Sequence, residues 1–526
     1  MTVVLTAIVI ILCIYYIWNY LTNKPKNSPP GIIRLPIWGS YWLLLWGNYS
    51  YPHKTVDYYM KKYKSKIISC YFGDVYTVIV NDYKSVREVL SRKEFDGRLS
   101  NNPIFRARSF GKKLGLFFND DYDWQQQRRF ALHNLRNFGF GRRHEQLESE
   151  LAEELNILLD TIKNGPISKY EKKVVDKDRI NFPDILSPVC ANFIWAVMAN
   201  KRFPRTESGE EHESLRELCK GARTFQKSGD TSGGAIALTP WLKYFGNLFG
   251  YTGFIGGNQT LIDFVQAYID QLDDEKLYDE TQDAFIPTYL REMKKIHQNK
   301  NSQNSNDEKI DDIDVNMYST QQLISICIDF MFPALSAVPA VVTNCIKYMI
   351  HHPKIIKRIQ EEIDDVIGCE RLPTLDDRKN LPFTEATIRE VMRLETITPL
   401  SVGHRCVETT NLFNYTIPKE TLVLTNLSAM HNDPDFWGDP DNFRPERFLT
   451  DDNKIVKDLT LPFGLGRRVC AGETFARFII FELFATLVQN LNFELISGQP
   501  TSLDDKYPGL IVQPTDTWIK FKIRQH

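Results

Sequence analysis

Residues Phe463 to Gly472 read FGLGRRVCAG, a lone cysteine set among three glycines and two arginines. Each residue type narrows the chemistry. Glycine lets a backbone come close to a flat ligand. Arginine offers planar, charged donors to an acid group. A thiolate binds metal, but a zinc cage needs several ligands at short spacing, and no Cys or His stands within ten residues of Cys470 on either side. The frame therefore suits Cys470 as the single protein ligand to a flat, metal-bearing cofactor with acidic side groups. Without that frame, a lone cysteine reads as an inert core residue.

The rest of the chain bounds this reading. Its 526 residues are 43% apolar, enough for a sizeable core. With 64 basic and 66 acidic residues the net charge is −2, so no global basic field argues for nucleic acid. Nine scattered cysteines, with no CxxC, suit a reducing compartment. Val3 to Leu21 carries no charge, and as a helix it would span about 28 Å, close to a bilayer core. Tyr15, Tyr16, Trp18 and Tyr20 gather at its end like an interfacial belt, followed by Lys24, Lys26 and Arg34. A cleaved signal peptide has a basic start, a shorter apolar run and a small-residue cleavage site. None is evident, so an uncleaved anchor is expected over 1–23, with the body in the cytosol. Pro25, Pro29, Pro30 and Gly31 then make 24–36 a stiff hinge, and 37–526 is the catalytic domain.

Apolar periodicity predicts a mainly α fold with a smaller β portion. Helices are expected at 53–65, 84–92, 123–137, 143–163, 180–200, 210–226, 258–275, 283–297, 319–350, 353–367 and 384–396, and over Arg477–Leu491. Strands are expected on both sides of Gly73-Asp74 within Ser69–Val80, and two more within 405–425. Residues 298–314 read as an exposed polar loop and 431–460 as irregular.

The decamer resembles the haem-binding signature of the cytochrome P450 family, Phe-x-x-Gly-x-Arg-x-Cys-x-Gly, at Phe463, Gly466, Arg468, Cys470 and Gly472. The likeness extends along nearly the whole chain after the anchor. It implies the cytochrome P450 fold, haem b as cofactor, and Cys470 as the thiolate on iron. Trp124 and Arg128 match the family's Trp-x-x-x-Arg. Arg98 lies in Phe95-Asp96-Gly97-Arg98, and His404 closes Pro399-Leu400-Ser401-Val402-Gly403-His404. The resemblance makes Arg98, Trp124, Arg128, His404 and Arg468 the donors to the two haem carboxylates. Glu390 and Arg393 match Glu-x-x-Arg, and Arg447 in Pro445-Glu446-Arg447-Phe448 completes a structural network with no catalytic role. Arg128, Arg129, Arg136, Arg142 and Arg143 form a basic patch, where the family docks its electron donor. Similarity to animal microsomal members, including arthropod ones, implies the endoplasmic reticulum membrane and NADPH-cytochrome P450 reductase. It also brings in cytochrome b5 as a second donor.

The distal helix departs from the pattern. Where the family has Ala/Gly-Gly-x-Asp/Glu-Thr, this chain reads Pro333-Ala334-Leu335-Ser336-Ala337. The acid becomes Ser336 and the threonine Ala337. Ser336 is then a weak stand-in for proton relay, and Asp329 a second weak candidate, seven residues earlier on the same face. The alternative for Ser336 is a bond to its own helix backbone. Pro333 and Pro339 each remove a helix hydrogen bond, so a kink is expected. Substrate contacts implied by the family fall in 101–118, 225–255, 328–340, 396–403 and 507–513, and include Phe105, Phe117, Phe118, Phe332, Ile397, Leu400 and Leu510. An apolar pocket follows, narrowed by Phe332 and Leu335.

The leading expectation is a membrane-anchored monooxygenase. It would hydroxylate or epoxidise a lipophilic small molecule with electrons from NADPH through a reductase. The missing acid–threonine pair raises a second reading, an isomerase or dehydratase acting on a lipid peroxide without reductase. A third is a non-catalytic haem protein that senses a lipophile.

Overall fold

The apolar stretch containing Pro333 and Pro339 forms one 32-residue helix, Thr320–His351, called here the central helix. From Gln322 to Met349 every residue except Pro333 and Ala337 is buried. Helices Ser187–Ala199, Glu210–Lys227, Tyr251–Ile269, Pro382–Leu394 and Glu473–Asn490 pack around it. The expected kink does not divide it: the helix is continuous across both prolines. Packing on all sides supports the helix where two backbone bonds are lost. The structure is a computed structural model that describes residues 2–35, 39–48, 50–229, 236–237, 239–272, 283–302, 317–500 and 502–525.

Most predicted elements form within a few residues of their expected bounds, and three departures are instructive. The helix expected over 180–200 begins only at Ser187, because Arg179–Phe182 pairs as a strand with Thr517–Ile523. Pro183, following that strand, separates the two. The helix expected from 258 starts at Tyr251. Gly257 is where this helix meets Glu210–Lys227: a Cβ there would lie 2.5 Å from the Gly221 carbonyl oxygen and 2.6 Å from the Phe225 nitrogen. Within the segment expected as a loop over 298–314, helix Phe285–Ser302 continues to Ser302, and residues 303–314 lie outside the described residues.

A four-stranded sheet supports one edge of the site. Its order is Ile67–Phe72, Val75–Val80, Leu422–Thr425, His404–Arg405, with the middle pair parallel and the outer pairs antiparallel. Thr410–Leu412 and Tyr415–Ile417 form a separate hairpin, so the 405–425 region holds four short strands rather than two.

The N-terminal helix, Thr2–Thr22, stands apart, with Tyr15, Tyr16 and Trp18 each at least 66% exposed. Its end is docked: the Arg34 guanidinium lies 4.0 Å from the Tyr20 ring and 4.2 Å from the Tyr71 ring, and pairs with Asp74. The segment read as a hinge is also tied down. Pro30 and Ile32 exchange backbone hydrogen bonds with Ser69, and Gly31 is pressed against Ser69 so closely that a Cβ would sit 2.4 Å from its carbonyl oxygen.

Candidate active site

The cysteine loop is built by its glycines. Gly464 and Gly466 both adopt positive φ, and Gly466 sits against the Leu90 carbonyl, where a Cβ would come within 2.2 Å. The turn closes with the Cys470 amide donating to the Phe463 carbonyl at 2.8 Å. Helix Glu473–Asn490 starts immediately afterward, so Cys470 lies at a helix N-terminus, which favours an anion. Six other cysteines are buried, and Cys13 and Cys369 lie exposed on the N-terminal helix and near a surface turn. Cys470 also has accessible surface, although protein atoms encircle it. That encirclement raises its thiol pKa, while the Gly472 N–H and the Arg128 charge pull the other way.

Three arginines converge above this loop. Gly97 bridges to Arg405 by reciprocal backbone bonds of 3.1 and 2.8 Å, and a Cβ on it would strike the Arg405 carbonyl. This close approach sets Arg98 beside His404 on the sheet edge. Arg468 lies 3.4 Å over the Trp124 ring, and donates to the Asp96 and Asn119 carbonyls. Arg128, one turn after Trp124 on helix Asp121–Asn137, donates to the Val469 carbonyl at 2.6 Å, tying that helix to the cysteine loop. Burial, with repulsion from Arg98, lowers the Arg468 pKa to about 8. Burial brings Arg98 to about 10, with Asp96 opposing the shift. Such crowding of like charges calls for anions. His404 donates from Nδ1 to the Phe95 carbonyl at 2.7 Å. Burial and neighbouring Arg98 hold its pKa well below the ordinary value.

Glu390, Arg393 and Arg447 form a second cluster, behind the cysteine loop. Glu390 and Arg393 are fully buried. The Glu390 carboxylate accepts from Arg393 Nε at 2.8 Å, Arg447 Nε at 2.9 Å and the Arg444 amide at 2.9 Å. The two guanidiniums also collect carbonyls from the irregular segment after Met430: Arg393 takes His431 and Pro440, and Arg447 takes Asp439 and Asn442. The expected irregular segment holds the short helices Pro434–Trp437 and Pro445–Phe448, and the backbone oxygens left over at their ends and in the turns between them need donors, which the arginine forks supply.

On the other face, the proposed relay residues are committed elsewhere. Ser336 donates to the Phe332 carbonyl at 2.6 Å and accepts from Gln226 Nε2 at 2.7 Å. Thr343, on the same seven-residue row, donates to the Pro339 carbonyl at 2.7 Å. Asp329 is a buried ion-pair partner of Arg108, at 2.7 Å, and accepts two backbone amides besides. Ala337 instead lines a cleft with Val338, Val341, Thr398 and Phe463. This face therefore presents methyl groups where the family has an alcohol. Phe117 packs edge-on to Phe332, and Phe225 also meets Phe332, with centroids 5.3 and 5.2 Å apart. The implied substrate region is thus strongly aromatic.

Sequence reasoning missed Asp120, which accepts from the Arg98 amide and from Arg405, and Gln226, Arg108 and Asn258. Each acts through a partner more than 20 positions away, so local spacing holds no trace of it. A fit to haem can be tested on unpartnered atoms. Nε1 of Trp124 and Nε of Arg98 are buried with no hydrogen-bond partner. Two orphaned donors, three crowded guanidiniums and a thiol at a helix N-terminus match a ring with two carboxylates and an iron that takes one sulfur ligand.

The cytochrome P450 family profile matches residues 29–521. The chain is 28% identical to farnesoate epoxidase of Bombyx mori over 523 residues, 98% of each protein. It is 30% identical to human cytochrome P450 2J2, covering 94% of this chain and 90% of the relative. With human cytochrome P450 2U1 the identity is 31%, over 85% and 77%. A cysteine loop under a guanidinium cluster, on a fold matched almost end to end, makes this chain a member of the cytochrome P450 family, a haem-dependent monooxygenase.

Proposed function

We propose that this protein is anchored in the endoplasmic reticulum membrane, faces the cytosol, and hydroxylates or epoxidises an apolar small molecule. Electrons come from NADPH through cytochrome P450 reductase, with cytochrome b5 as a second donor. Thiolate-bound haem supplies the O–O bond cleavage. The chain's own residues divide the remaining work. Cys470 would supply the sulfur; Arg98, Trp124, Arg128, His404 and Arg468 would hold the two carboxylates; Phe463 and Gly472 would shape the loop. The single observation that carries the reading is the guanidinium cluster with its two orphaned donors beside the Cys470 loop. Exposed Arg129, Arg136 and Arg142 support reductase docking, while Arg143 is engaged with Glu148 and Asp376. Docking of this kind speeds association and weakens with salt. The aromatic pocket and the similarity to a farnesoate epoxidase support a slender, apolar substrate. Reconstitution with reductase and NADPH, scored as product formed per NADPH, tests the whole. Turnover of a lipid hydroperoxide with neither reductase nor NADPH would replace it with the isomerase reading.

In this reading Ser336 is a structural hydroxyl. Ser336→Ala leaves the buried Gln226 amide without its acceptor, costing about 1–3 kcal/mol of stability, while the product-to-NADPH ratio stays unchanged. A fall in that ratio, with more peroxide released, would restore Ser336 to proton delivery.

Membrane attachment has a second support. Trp241, Tyr244, Phe245 and Leu248 are 46–81% exposed on the segment Pro240–Phe249, spaced i, i+3, i+4, i+7. Deleting residues 1–23 is therefore expected to leave part of the protein on membranes. Adding Tyr244→Asp and Leu248→Asp to the deletion releases it, as read by sedimentation with microsomes. Full release by the deletion alone would show that the patch contributes nothing.

A further inference from the structure

The loop of residues 108–120, between helices Pro103–Ala107 and Asp121–Asn137, has little regular structure, so its amides need outside acceptors. The central helix provides them from a single row of side chains. Gln322 Oε1 takes the Gly115 amide at 2.9 Å, and Asp329 Oδ2 takes those of Leu116 and Phe117 at 2.5 and 2.9 Å. Gly115, at φ +79°, is pressed so close that a Cβ would lie 2.5 Å from Asp329 Oδ2. The other carboxylate oxygen binds Arg108 Nη2 at 2.7 Å, with both side chains at most 4% exposed.

Arg108 then reaches two more elements. Its carbonyl accepts from Asn258, on helix Tyr251–Ile269, at 2.8 Å. Its guanidinium lies 5.4–5.8 Å from the centroids of Phe118, Phe225 and Phe332, within the range of cation–π attraction. One buried ion pair thus joins the loop, the central helix and both helices above it. Phe117, whose amide it holds, packs edge-on against both Phe118 and Phe332, the latter on the central helix five residues before Ala337.

We infer that Arg108 and Asp329 are positioning residues that set substrate specificity: by pinning the backbone at Leu116 and Phe117 they fix the width between these rings and admit slender chains over fused-ring molecules. This rests on the reading that an apolar substrate binds on the Ala337 face. It assigns Asp329 a place outside proton transfer, because both its oxygens are engaged, Oδ1 by Arg108 and Oδ2 by two backbone amides. A buried pair of this sort adds little net stability over apolar residues of like volume, yet breaking it from one side is costly. The two effects can therefore be separated by substitution.

The test uses the full-length holoprotein, with the thiolate–carbonyl spectrum as proof of an intact haem site. Affinities for an unbranched fifteen-carbon alcohol and for a steroid are read from the haem spin-state shift. Asp329→Asn, and the double variant Arg108→Met with Asp329→Leu, are each expected to shrink the preference for the chain by about tenfold, or about 1.4 kcal/mol. Amide exchange at Leu116 and Phe117 quickens in the same variants. The double variant removes both charges and carries the test if the single one folds poorly. An unchanged preference in an intact holoprotein, with the amides still protected, overturns the inference. A wild-type protein whose spectrum responds to neither ligand overturns the apolar-substrate reading instead.

Discussion

Cys470→Ser is expected to abolish the thiolate–carbonyl spectrum and to cut turnover by roughly 10³-fold or more, a barrier increase above about 4 kcal/mol. The thiol is raised by burial and by the Glu473 carboxylate, and three features act in the opposite sense: the Gly472 N–H, the Arg128 charge and the start of helix Glu473–Asn490. All three favour an anion at this one atom. A serine hydroxyl does not ionise there, and remains a neutral, hard donor with little affinity for iron. The loop itself depends on Gly464, Gly466 and the 2.8 Å turn bond from the Cys470 amide, none of which needs sulfur. The variant should therefore fold, and the carbon monoxide difference spectrum reads the ligand alone. A normal spectrum from Cys470→Ser would remove Cys470 from the iron and with it the present account of the site.

Glu390→Ala is expected to prevent holoprotein from accumulating. The substitution leaves Arg393, at 0% side-chain exposure, without the carboxylate that neutralises it, and leaves Arg447, at 5%, with Asp439 as its remaining carboxylate partner. Breaking a buried pair from one side costs about 3–5 kcal/mol, a large share of the roughly 5–15 kcal/mol that holds a domain together. The damage is directional, because the same arginines bind the His431, Pro440, Asp439 and Asn442 carbonyls. Once they shift, the segment leading into the cysteine loop loses its anchorage. Glu390→Gln keeps an acceptor and loses the charge, so it should lie between wild type and alanine. The yield of the thiolate–carbonyl spectrum per unit of protein measures both. Wild-type yield from the alanine variant would show that the network does not support the loop.

Much of this was legible in the sequence because the informative residues are close-spaced. The FGLGRRVCAG turn, Trp124 with Arg128, and Glu390 with Arg393 are each contained within ten residues, and the structure brings each set together as spacing implies. The illegible parts depend on long-range partners or on packing. Asp329 reads as a polar residue on the relay face, and only the position of Arg108, 221 residues earlier, shows it to be an ion-pair partner. Pro333 and Pro339 read as a local disturbance, and only the burial along the whole helix explains why it stays unbroken across both. Pro30 and Gly31 read as a stiff hinge from their own chemistry, and only the fold shows that Ser69 supplies the strand edge to which they are bonded. Propensity predicts what a segment does alone; these three are decided by what lies across from it.

The contact at Gly257 has a mechanical consequence. With no side chain there, helices Glu210–Lys227 and Tyr251–Ile269 touch backbone to backbone, and Gly221 completes the seam against Thr260. Neither helix can slide or tilt alone without backbone striking backbone. The pair therefore behaves as one stiff plate, and a ligand too wide for the resting gap has to lift both helices together. The work of admission then falls on the connections at the rim of the plate, which makes the rate of entry, as distinct from affinity, a property of its edges.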